Sequence, residues 1–365
     1  MIILFSSNES GGVLQLVIQI LKELQEMGSD AIAYIPEDAN VSVPNEYICK
    51  VSYYEKIKTL NRHNKEIEEL ADSIVNKKPQ LIWYFENAIL TTQLSLMIPK
   101  NIKQLLIIHD AGSYHPSNIH SLKKSLHNFI RTYYSICSER KVDNIVLLSS
   151  SSKEKYIRHR KINKEKSVVL TLGAHIPNVS LEVPPEIQCL EKDFFLFFGR
   201  IDKYKGICNM VEAFNQCTLE HSLVIAGSGD LTEYEKAICK ENDKIILVNR
   251  YITDGEMISL FENSIAVVLP YIEATQSGVL PISYKLGKPV ITSDVEGLTQ
   301  FVVNKKTGLI CHETSDYIKA FQYFDCENNA GEYGKSARRY YEEYMEWKNN
   351  INGLFHMLNL NIEES

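Results

Sequence analysis

The chain has 365 residues, of which 44% are apolar and 23% charged, and its formal net charge is −7. A chain of this length exceeds one ordinary hydrophobic core, so two domains are expected. The acidic balance argues against a general nucleic-acid-binding protein, which normally has a basic excess. Eight cysteines are scattered without a Cys-x-x-Cys pair or zinc-ligand spacing. This pattern predicts reduced thiols in a cytoplasmic protein and no metal site.

The amino terminus and the hydropathy pattern predict a chain without a targeting segment or a membrane span. The opening sequence MIILFSSNESGG lacks a charged n-region and a long apolar h-region, so it is not typical of a signal peptide. No window reaches the ~20 apolar residues that a spanning helix requires. We therefore expect a cytoplasmic protein, with peripheral contact at the inner face of the membrane as a further hypothesis.

Short apolar runs alternate with longer segments of helical period, which is the signature of parallel α/β units. In the first half the predicted strands are MIILFS, DAIAYIP, QLIWYF, QLLIIHD, NIVLLSS and SVVLTLG. In the second half they are FFLFFGR, SLVIAGSGD, KIILVNR, IAVVLPY and GLIC. The stretch AHIPNVSLEVPPEIQCLEKD between the halves contains three prolines and no periodicity, which indicates a linker.

This alternation predicts two doubly wound, Rossmann-like α/β domains that face each other across a cleft. Ligands bind such sheets at the carboxyl ends of the strands. The predicted boundaries are 1–178 for the N-terminal domain, 179–193 for the linker and 194–340 for the C-terminal domain. Helices over 341–365 end the chain and could pack back on the N-terminal domain.

Candidate ligand-binding residues in the first half stand at two strand ends. Gly11 and Gly12 precede a helix, where backbone N–H groups favour an anion; a plain tight turn is the alternative. The pattern is not G-x-G-x-x-G, so a dinucleotide site is not supported. His109 and Asp110 end LLIIHD, and His115 follows in the next loop. A histidine there could contact substrate or be a hydrogen-bonded structural group.

In the second half, Arg200 and Lys205 follow FFLFF within GRIDKYKG, which leads into a helix. Two cations beside a helix N-terminus would clamp a diphosphate, whereas solvated surface cations are the alternative. The loop ATQSG lies at another strand-to-helix junction, near Ser277, and its N–H groups and hydroxyls suit an anion. Glu273 could hydrogen-bond a sugar hydroxyl. A simple N-cap also fits this loop.

The second half resembles glycosyltransferase family 4, the retaining nucleotide-sugar enzymes of the GT-B fold. FFGRIDKYKGICNMVEAF is similar to the strand–GR…KG–helix element of that family. LVIAGSGDL, IILVNRYIT, AVVLPY, GKPVITSDVEGLTQFV and KKTGLI follow in the family's order and spacing. The likeness is strongest over residues 194–311. SGG, QLIWYF, IIHD and NIVLLSSSSKE in the first half match more loosely.

The resemblance implies a GT-B fold, with the acceptor on the N-terminal domain and the nucleotide sugar on the C-terminal domain. It implies that Arg200 and Lys205 neutralise the donor diphosphate. It further implies that Gly12 lies beside that diphosphate and that His109 contacts the transferred sugar. Asp110 and His115 are candidates on the acceptor side. The other implied donor-binding residues are Arg250, Tyr251 and Ile252 beside the nucleobase, and Thr275, Gln276, Ser277, Gly278 and Val279 against the sugar and phosphates.

The two-glutamate motif of many family members is missing here. Aligning GKPVI without a gap places Ala274, next to Glu273, at the first glutamate position. Ile282 stands at the second, which holds the ribose in those relatives. The contact of a glutamate with the ribose is therefore absent or supplied from elsewhere. The pattern ATQSGV…SY…GKPV is similar to that of a variant subgroup of the family, which also has HD…H in the first half of the chain.

The expected function is retaining transfer of a sugar from a nucleoside-diphosphate sugar to a hydroxyl of a glycan or lipid-linked acceptor, in surface polysaccharide or glycan assembly. Arg200, Lys205 and helix N-termini would stabilise the leaving diphosphate without a metal or cofactor, and no D-x-D motif is present. A catalytically silent sugar-nucleotide-binding or scaffold protein is one alternative. A nucleotide-sugar epimerase or a phosphorylase is another.

Basic residues are concentrated in two segments of the first half, HSLKKSLHNFIRTYYSICSERK and KEKYIRHRKINKEK. They could contact anionic lipid or a phosphate-bearing acceptor, whereas a solvated helix face is the alternative. No nucleic-acid partner is expected. The cations of the first segment are Lys123, Lys124, Arg131, Arg140 and Lys141.

Overall fold

The structure is a computed structural model that describes residues 1–41, 43–51, 65–109, 122–160, 162–190, 193–326 and 329–360, without the side chains of 122–129 and 131. The chain forms two compact units. Unit 1 comprises Met1–Leu170 and Trp347–Ser365, and unit 2 comprises Thr171–Glu346. The sequence pattern places these two boundaries at residues 178 and 340, and the predicted linker 179–193 falls within unit 2.

Unit 1 is built on a seven-stranded parallel sheet with the order β3-β2-β1-β4-β5-β6-β7. The strand order reverses between β1 and β4, so the carboxyl ends of these two strands flank a topological switch point. The strands are β1 Ile2–Phe5, β2 Ala31–Pro36, β3 Ile48–Val51, β4 Leu81–Tyr84, β5 Lys103–Ile108, β6 Asn144–Leu147 and β7 Ser167–Val169. The helices are α1 Gly12–Glu26, α2 Lys65–Asn76, α3 Ile89–Met97, α4 Leu122–Lys141 and α5 Ser150–Arg160.

The central strands of unit 1 are continuously apolar because helices cover both faces of the sheet. β1 (IILF), β2 (AIAYIP) and β4 (LIWY) are buried along their whole length. On α1, Leu14, Val17, Leu21 and Leu24 recur at intervals of three and four and are buried. This spacing gives the helix one apolar stripe that packs on the sheet.

Unit 2 repeats the same design with a six-stranded parallel sheet of order β10-β9-β8-β11-β12-β13. Here the switch point lies between β8 and β11. The strands are β8 Phe194–Phe198, β9 Ser222–Ala226, β10 Ile245–Val248, β11 Ser264–Leu269, β12 Val290–Ser293 and β13 Gly308–Cys311. The helices are α6 Ile207–Asn215, α7 Glu233–Lys240, α8 Asp254–Glu262, α9 Val279–Lys285, α10 Glu296–Thr299, α11 Thr314–Asp325 and α12 Asn329–Tyr344.

The last helix, α13 Trp347–Met357, belongs to unit 1 although it follows unit 2 in the chain. The ring of Phe355 packs at 6.3 Å, centroid to centroid, from Trp83 of β4. The Lys103 ammonium donates a hydrogen bond to the carbonyl oxygen of Leu358. These contacts hold α13 and Leu358 on unit 1.

The prediction of two parallel, Rossmann-like α/β domains is confirmed. When the strands are numbered from the first strand of each unit, both sheets contain the order 3-2-1-4. This is the doubly wound arrangement, which binds ligands at the switch point. Within the described ranges, none of the helices combines the length and the hydropathy needed to cross a bilayer.

Candidate functional site

Arg200 and Lys205 lie just beyond the carboxyl end of β8, next to the switch point of unit 2. Arg200 is exposed and Lys205 is half-buried. The turn that carries Lys205 ends at Gly206, which has a φ of 66° and precedes α6. A Cβ atom at Gly206 would lie 2.0 Å from the carbonyl oxygen of Pro270. Only glycine therefore allows this turn to pack against the end of β11.

The ammonium of Lys205 lies on an aromatic surface. Its Nζ is 3.6 Å from the ring centroid of Tyr271 and 5.1 Å from that of Tyr204, which is cation–π geometry. Burial and, secondarily, the charge of Arg200 lower the pKa of Lys205 to about 8, against an opposing effect of Asp202. A hydrogen bond with the Tyr204 side chain raises the pKa of Arg200. Two cations thus stand near each other, and an anionic ligand would relieve their repulsion.

The ATQSG loop joins β11 to α9 and is tied to the turn of Lys205. The main-chain N–H of Ile272 donates to the carbonyl of Tyr204 at 2.8 Å. The Tyr271 hydroxyl lies 3.3 Å from Oγ of Ser277, and that Oγ accepts a 3.3 Å hydrogen bond from the N–H of Val279. Tyr271, which is 1% exposed, therefore connects Ser277 to Lys205.

The other side of this loop rests on α10. A Cβ atom at Gly297 would lie 2.2 Å from the carbonyl oxygen of Ala274, so the loop and α10 approach backbone to backbone. Oε1 of Gln276 is buried, and no described atom donates a hydrogen bond to it. A buried acceptor of this kind is costly unless a donor reaches it. Glu273 and Gly278 are exposed, whereas Thr275 is half-buried.

Ile282, at the position of the second family glutamate, lies on α9 and is 8% exposed. It belongs to the hydrophobic core of unit 2, and Ala274 packs against the same core. Neither side chain offers a polar group to a ligand.

Arg250, Tyr251 and Ile252 follow β10, at the same edge of the sheet but two strands from β8. The Arg250 guanidinium is held by Glu186 at 2.9 Å and Glu256 at 2.7 Å. Its charge is thus engaged within the protein. Ile252 is buried, whereas Tyr251 is 76% exposed, so of the three side chains Tyr251 is the one that faces solvent fully.

In unit 1, Gly11 and Gly12 form the exposed N-terminus of α1, after the carboxyl end of β1. His109 follows β5 at the same edge of the sheet and is half-buried. β4 lies between these two strands. Asp110 and His115 fall outside the described residues.

Glu86, which the sequence patterns did not single out, stands at the end of β4 between these candidates. Its carboxylate accepts hydrogen bonds from Oγ of Ser6 at 2.8 Å, from the N–H of Ser7 at 2.6 Å and from Nδ2 of Asn8 at 3.1 Å. Burial raises the pKa of Glu86 despite these hydrogen bonds. Glu86 thereby holds the loop that leads to Gly11. The feature of the sequence that could have pointed to Glu86 is a carboxylate two residues after the strand segment QLIWY.

The predicted residues that the structure describes thus fall into two groups, one at the carboxyl edge of each sheet. In unit 2 the structure brings together Arg200, Lys205 and the loop around Ser277, and it adds Tyr271. In unit 1 it places Gly12 and His109 at the ends of β1 and β5. Across the described ranges, no three His, Cys, Asp or Glu side chains cluster as metal ligands would.

Residues 192–323 match the family model described as "Glycosyl transferases group 1". An uncharacterized glycosyltransferase of Methanocaldococcus jannaschii is 27% identical over 124 residues, which is 33% of this chain and 32% of the relative. The capsular polysaccharide biosynthesis glycosyltransferase CapM of Staphylococcus aureus is 27% identical over 184 residues, 46% of this chain and 47% of the relative. The chain therefore spans about a third of the length of the first of these curated relatives and about half of the second.

Among solved structures, the chain is similar to Anabaena HepE in complex with UDP and glucose, with a TM-score of 0.72 and 13% identity over 98% of this chain and 99% of that one. At this identity the likeness concerns the fold alone. Together with the two parallel sheets, it identifies the fold as that of GT-B glycosyltransferases.

Proposed function

We propose that the chain is a glycosyltransferase that moves a sugar from a nucleoside-diphosphate sugar to a hydroxyl of a glycan or lipid-linked acceptor. The observation that carries this proposal is the pair of cations, Arg200 and Lys205, at the switch point of unit 2. They lie within the region matched by the glycosyltransferase family model. A nucleoside diphosphate is the ligand whose charge and placement suit them.

The donor diphosphate would lie between the cations and the ATQSG loop. Lys205, packed on Tyr271, has a fixed position, and Arg200 is exposed and can reach an incoming ligand. The N–H groups of the loop and of the start of α9 would bind the remaining phosphate oxygens. Tyr251 and Ile252, with the main chain at Arg250, would border the nucleobase.

Gln276 is our candidate for the hydroxyl contact that a glutamate makes in relatives. Its buried Oε1 is an acceptor without a described donor, and a hydroxyl of the donor's ribose or sugar would satisfy it. Glu273, which is exposed beside this loop, would orient the transferred sugar. The roles that the resemblance implies for His109 and Gly12 of unit 1 stay predictions.

The proposed transfer proceeds with retention of anomeric configuration. The acceptor oxygen forms the new bond to the anomeric carbon on the face from which the diphosphate departs. The bond between that carbon and the phosphate oxygen breaks, and a phosphate oxygen takes the acceptor's proton. Arg200 and Lys205 stabilise the charge that develops on the leaving group by preorganised electrostatics, without a metal. The protein supplies no nucleophile in this scheme.

The named relatives support a more specific proposal. CapM is named for capsular polysaccharide biosynthesis, and HepE was solved with UDP and glucose. We therefore propose a UDP-sugar donor and a role in surface polysaccharide assembly for this chain. The proposed location is the cytoplasm, with peripheral contact at the inner membrane face where a lipid-linked acceptor would be met.

A catalytically silent sugar-nucleotide-binding protein is the second candidate. The observation that favours it is the loss of both family glutamates, since positions 274 and 282 carry apolar side chains packed on the core. Such a protein would bind the donor at the same edge and transfer nothing. Binding and turnover therefore have to be measured separately.

The test is a panel of nucleotide sugars, scored for both binding and release of the nucleoside diphosphate. At least one donor should be turned over, and Arg200→Ala and Lys205→Ala should each lower turnover by at least ~100-fold, as for loss of an electrostatic stabiliser. Lys203→Ala, an exposed cation of the same turn, is the matched control and should be near wild type. Binding without turnover would favour the silent protein, and wild-type rates in both variants would exclude the clamp.

A further inference from the structure

A cavity of about 470 Å³ opens on unit 1. Its walls come from the three segments that lead into β5, β6 and β7, so it lies at the amino-terminal edge of the sheet. Gly12, Glu86 and His109 lie at the opposite, carboxyl edge. We call this cavity the basic pocket. The polar residues that line it are Lys100, Gln104, Arg140, Lys141, Asp143 and Lys166.

The basic pocket concentrates positive charge in a chain whose net charge is −7. It contains four cations and one carboxylate. The carboxylate of Asp143 is engaged, since its Oδ2 accepts a 2.7 Å hydrogen bond from the main-chain N–H of Gln104. Among the described residues, no carboxylate lies within ion-pair distance of any of the four cations. The charges of Asp143 and Glu139 act on Lys166 and oppose the lowering of its pKa by burial. With four cations against one carboxylate in its lining, the cavity still has an excess of positive charge that an anion would balance.

Two of the cations are held in place by the main chain. Nζ of Lys166 donates to the carbonyl of Arg140 at 3.0 Å, and Nζ of Lys141 donates to the carbonyl of Ile98 at 2.9 Å. An ammonium has three N–H donors, so each keeps donors for a ligand. Both side chains are half-buried, and burial lowers the pKa of Lys166. Lys100 and Arg140 are exposed at the rim.

We propose that the basic pocket binds a small phosphate-bearing anion at the amino-terminal edge of the unit 1 sheet, a site distinct from the one that Arg200 and Lys205 of unit 2 would form. The shape favours a small molecule over a membrane surface. A bilayer would be met by protruding cations, whereas Lys141 and Lys166 are half-buried and bonded to carbonyls inside a concavity. The volume lies within the range of small-molecule sites, which is about 300–1,000 Å³. The proposal does not depend on the function proposed above.

Inorganic pyrophosphate is the probe, titrated calorimetrically into the full chain. Because Arg200 and Lys205 would also bind pyrophosphate, the reference protein is Arg200→Ala/Lys205→Ala, which lacks both of these cations. Pyrophosphate should bind this reference, and adding Lys100→Gln/Arg140→Gln should weaken the affinity at least ~10-fold through loss of charge-assisted hydrogen bonds. Both changed residues are exposed, so the fold should be kept. Lys240→Gln/Lys306→Gln in the same reference removes equal charge from exposed positions of unit 2 and should leave the affinity unchanged.

Equal affinity with and without Lys100→Gln/Arg140→Gln would overturn the proposal, and so would the absence of pyrophosphate binding to the reference. Co-sedimentation with vesicles of phosphatidylcholine and phosphatidylglycerol tests the alternative that these cations bind a membrane surface. If the protein does not bind pyrophosphate but binds vesicles, and Lys100→Gln/Arg140→Gln abolishes the vesicle binding, these cations bind a lipid surface instead.

Discussion

Lys205 is a cation in surroundings that disfavour its charge. Its ammonium is half-buried against Tyr271, and burial together with Arg200 lowers its pKa to about 8. A bound diphosphate would reverse this tendency, because a nearby opposite charge favours the protonated form. Donor binding and the protonation of Lys205 should therefore be coupled.

The first prediction concerns pH. Below about pH 8 Lys205 is protonated and both cations are present, whereas above it one stabilising charge is lost. The kcat/KM for the donor, measured from about pH 6.5 to 9.5, should fall on the alkaline side, since this parameter reports groups of the free enzyme. Lys205→Arg keeps its charge over this range. A decline of the same steepness in that variant would show that another group titrates.

The second prediction concerns Gly206. Gly206→Ala would put a Cβ atom 2.0 Å from the Pro270 carbonyl oxygen at a φ of 66°. This should lower the free energy of unfolding by roughly 2 kcal/mol or more, through backbone strain and overpacking. Urea unfolding followed by far-UV circular dichroism measures it. Gly278→Ala is the control, since a Cβ atom there meets nothing within 4 Å, and similar destabilisation by both changes would contradict the account.

Single residues could be predicted from the sequence where their type and position were both informative. Arg200 and Lys205 follow a strongly apolar strand, and the structure places them together with Ser277. Tyr271 was not singled out, because as part of AVVLPY it reads as a strand residue. Its contact with Lys205 spans 66 positions of the chain and depends on β8 and β11 being neighbours. The pairing of Arg250 with two glutamates likewise depends on tertiary contacts.

At the scale of elements, α4 and α5 are joined by a buried ion pair. NH2 of Arg160 lies 3.2 Å from Oε1 of Glu139, and the side chains are 18% and 5% exposed. Oγ of Ser135 donates to the same carboxylate oxygen at 2.7 Å and accepts from Arg160 at 2.7 Å. Nδ2 of Asn87 reaches this serine at 2.6 Å, which connects the pair to the end of β4.

The third prediction follows from this cluster. Arg160→Ala leaves the buried Glu139 carboxylate without its positively charged partner, which should destabilise unit 1 by roughly 3 kcal/mol. Both tryptophans, Trp83 and Trp347, belong to unit 1, so tryptophan fluorescence during urea unfolding reports on this unit. Arg158→Ala, at an exposed position of the same helix, should change stability little. Indistinguishable fluorescence midpoints for the two variants would contradict a structural role of the pair.

Two elements of unit 1 escape the sequence patterns for physical reasons. The six consecutive residues Leu90–Ser95 of α3 are buried, so the helix has no alternation of apolar and polar faces to detect. β3 has the opposite difficulty. It is an edge strand of four residues, of which Ile48 is the buried one. Long amphipathic helices such as α1 and fully buried strands such as β1 can be predicted from the sequence because burial imposes a clear pattern.

At the scale of the whole molecule, the duplicated α/β design was predictable because parallel sheets require alternating apolar strands and helices. The boundaries of the two units were not predictable in the same way. The proline-rich stretch predicted as a linker packs on unit 2, where the N–H of Glu182 donates to the carbonyl of Gly255 at 3.3 Å and Oγ1 of Thr253 donates to Glu182 at 3.0 Å. Composition alone does not separate such a packed segment from a free one.

The central claim is that unit 2 binds the diphosphate of a nucleotide sugar through Arg200 and Lys205. Calorimetric titration with a panel of nucleoside diphosphates, UDP included, tests it most directly. At least one of them should bind the wild-type chain with a dissociation constant below about 1 mM, and Arg200→Ala/Lys205→Ala should weaken that affinity by at least ~100-fold. Failure of every nucleoside diphosphate to bind, or equal affinity in the double variant, would contradict the account.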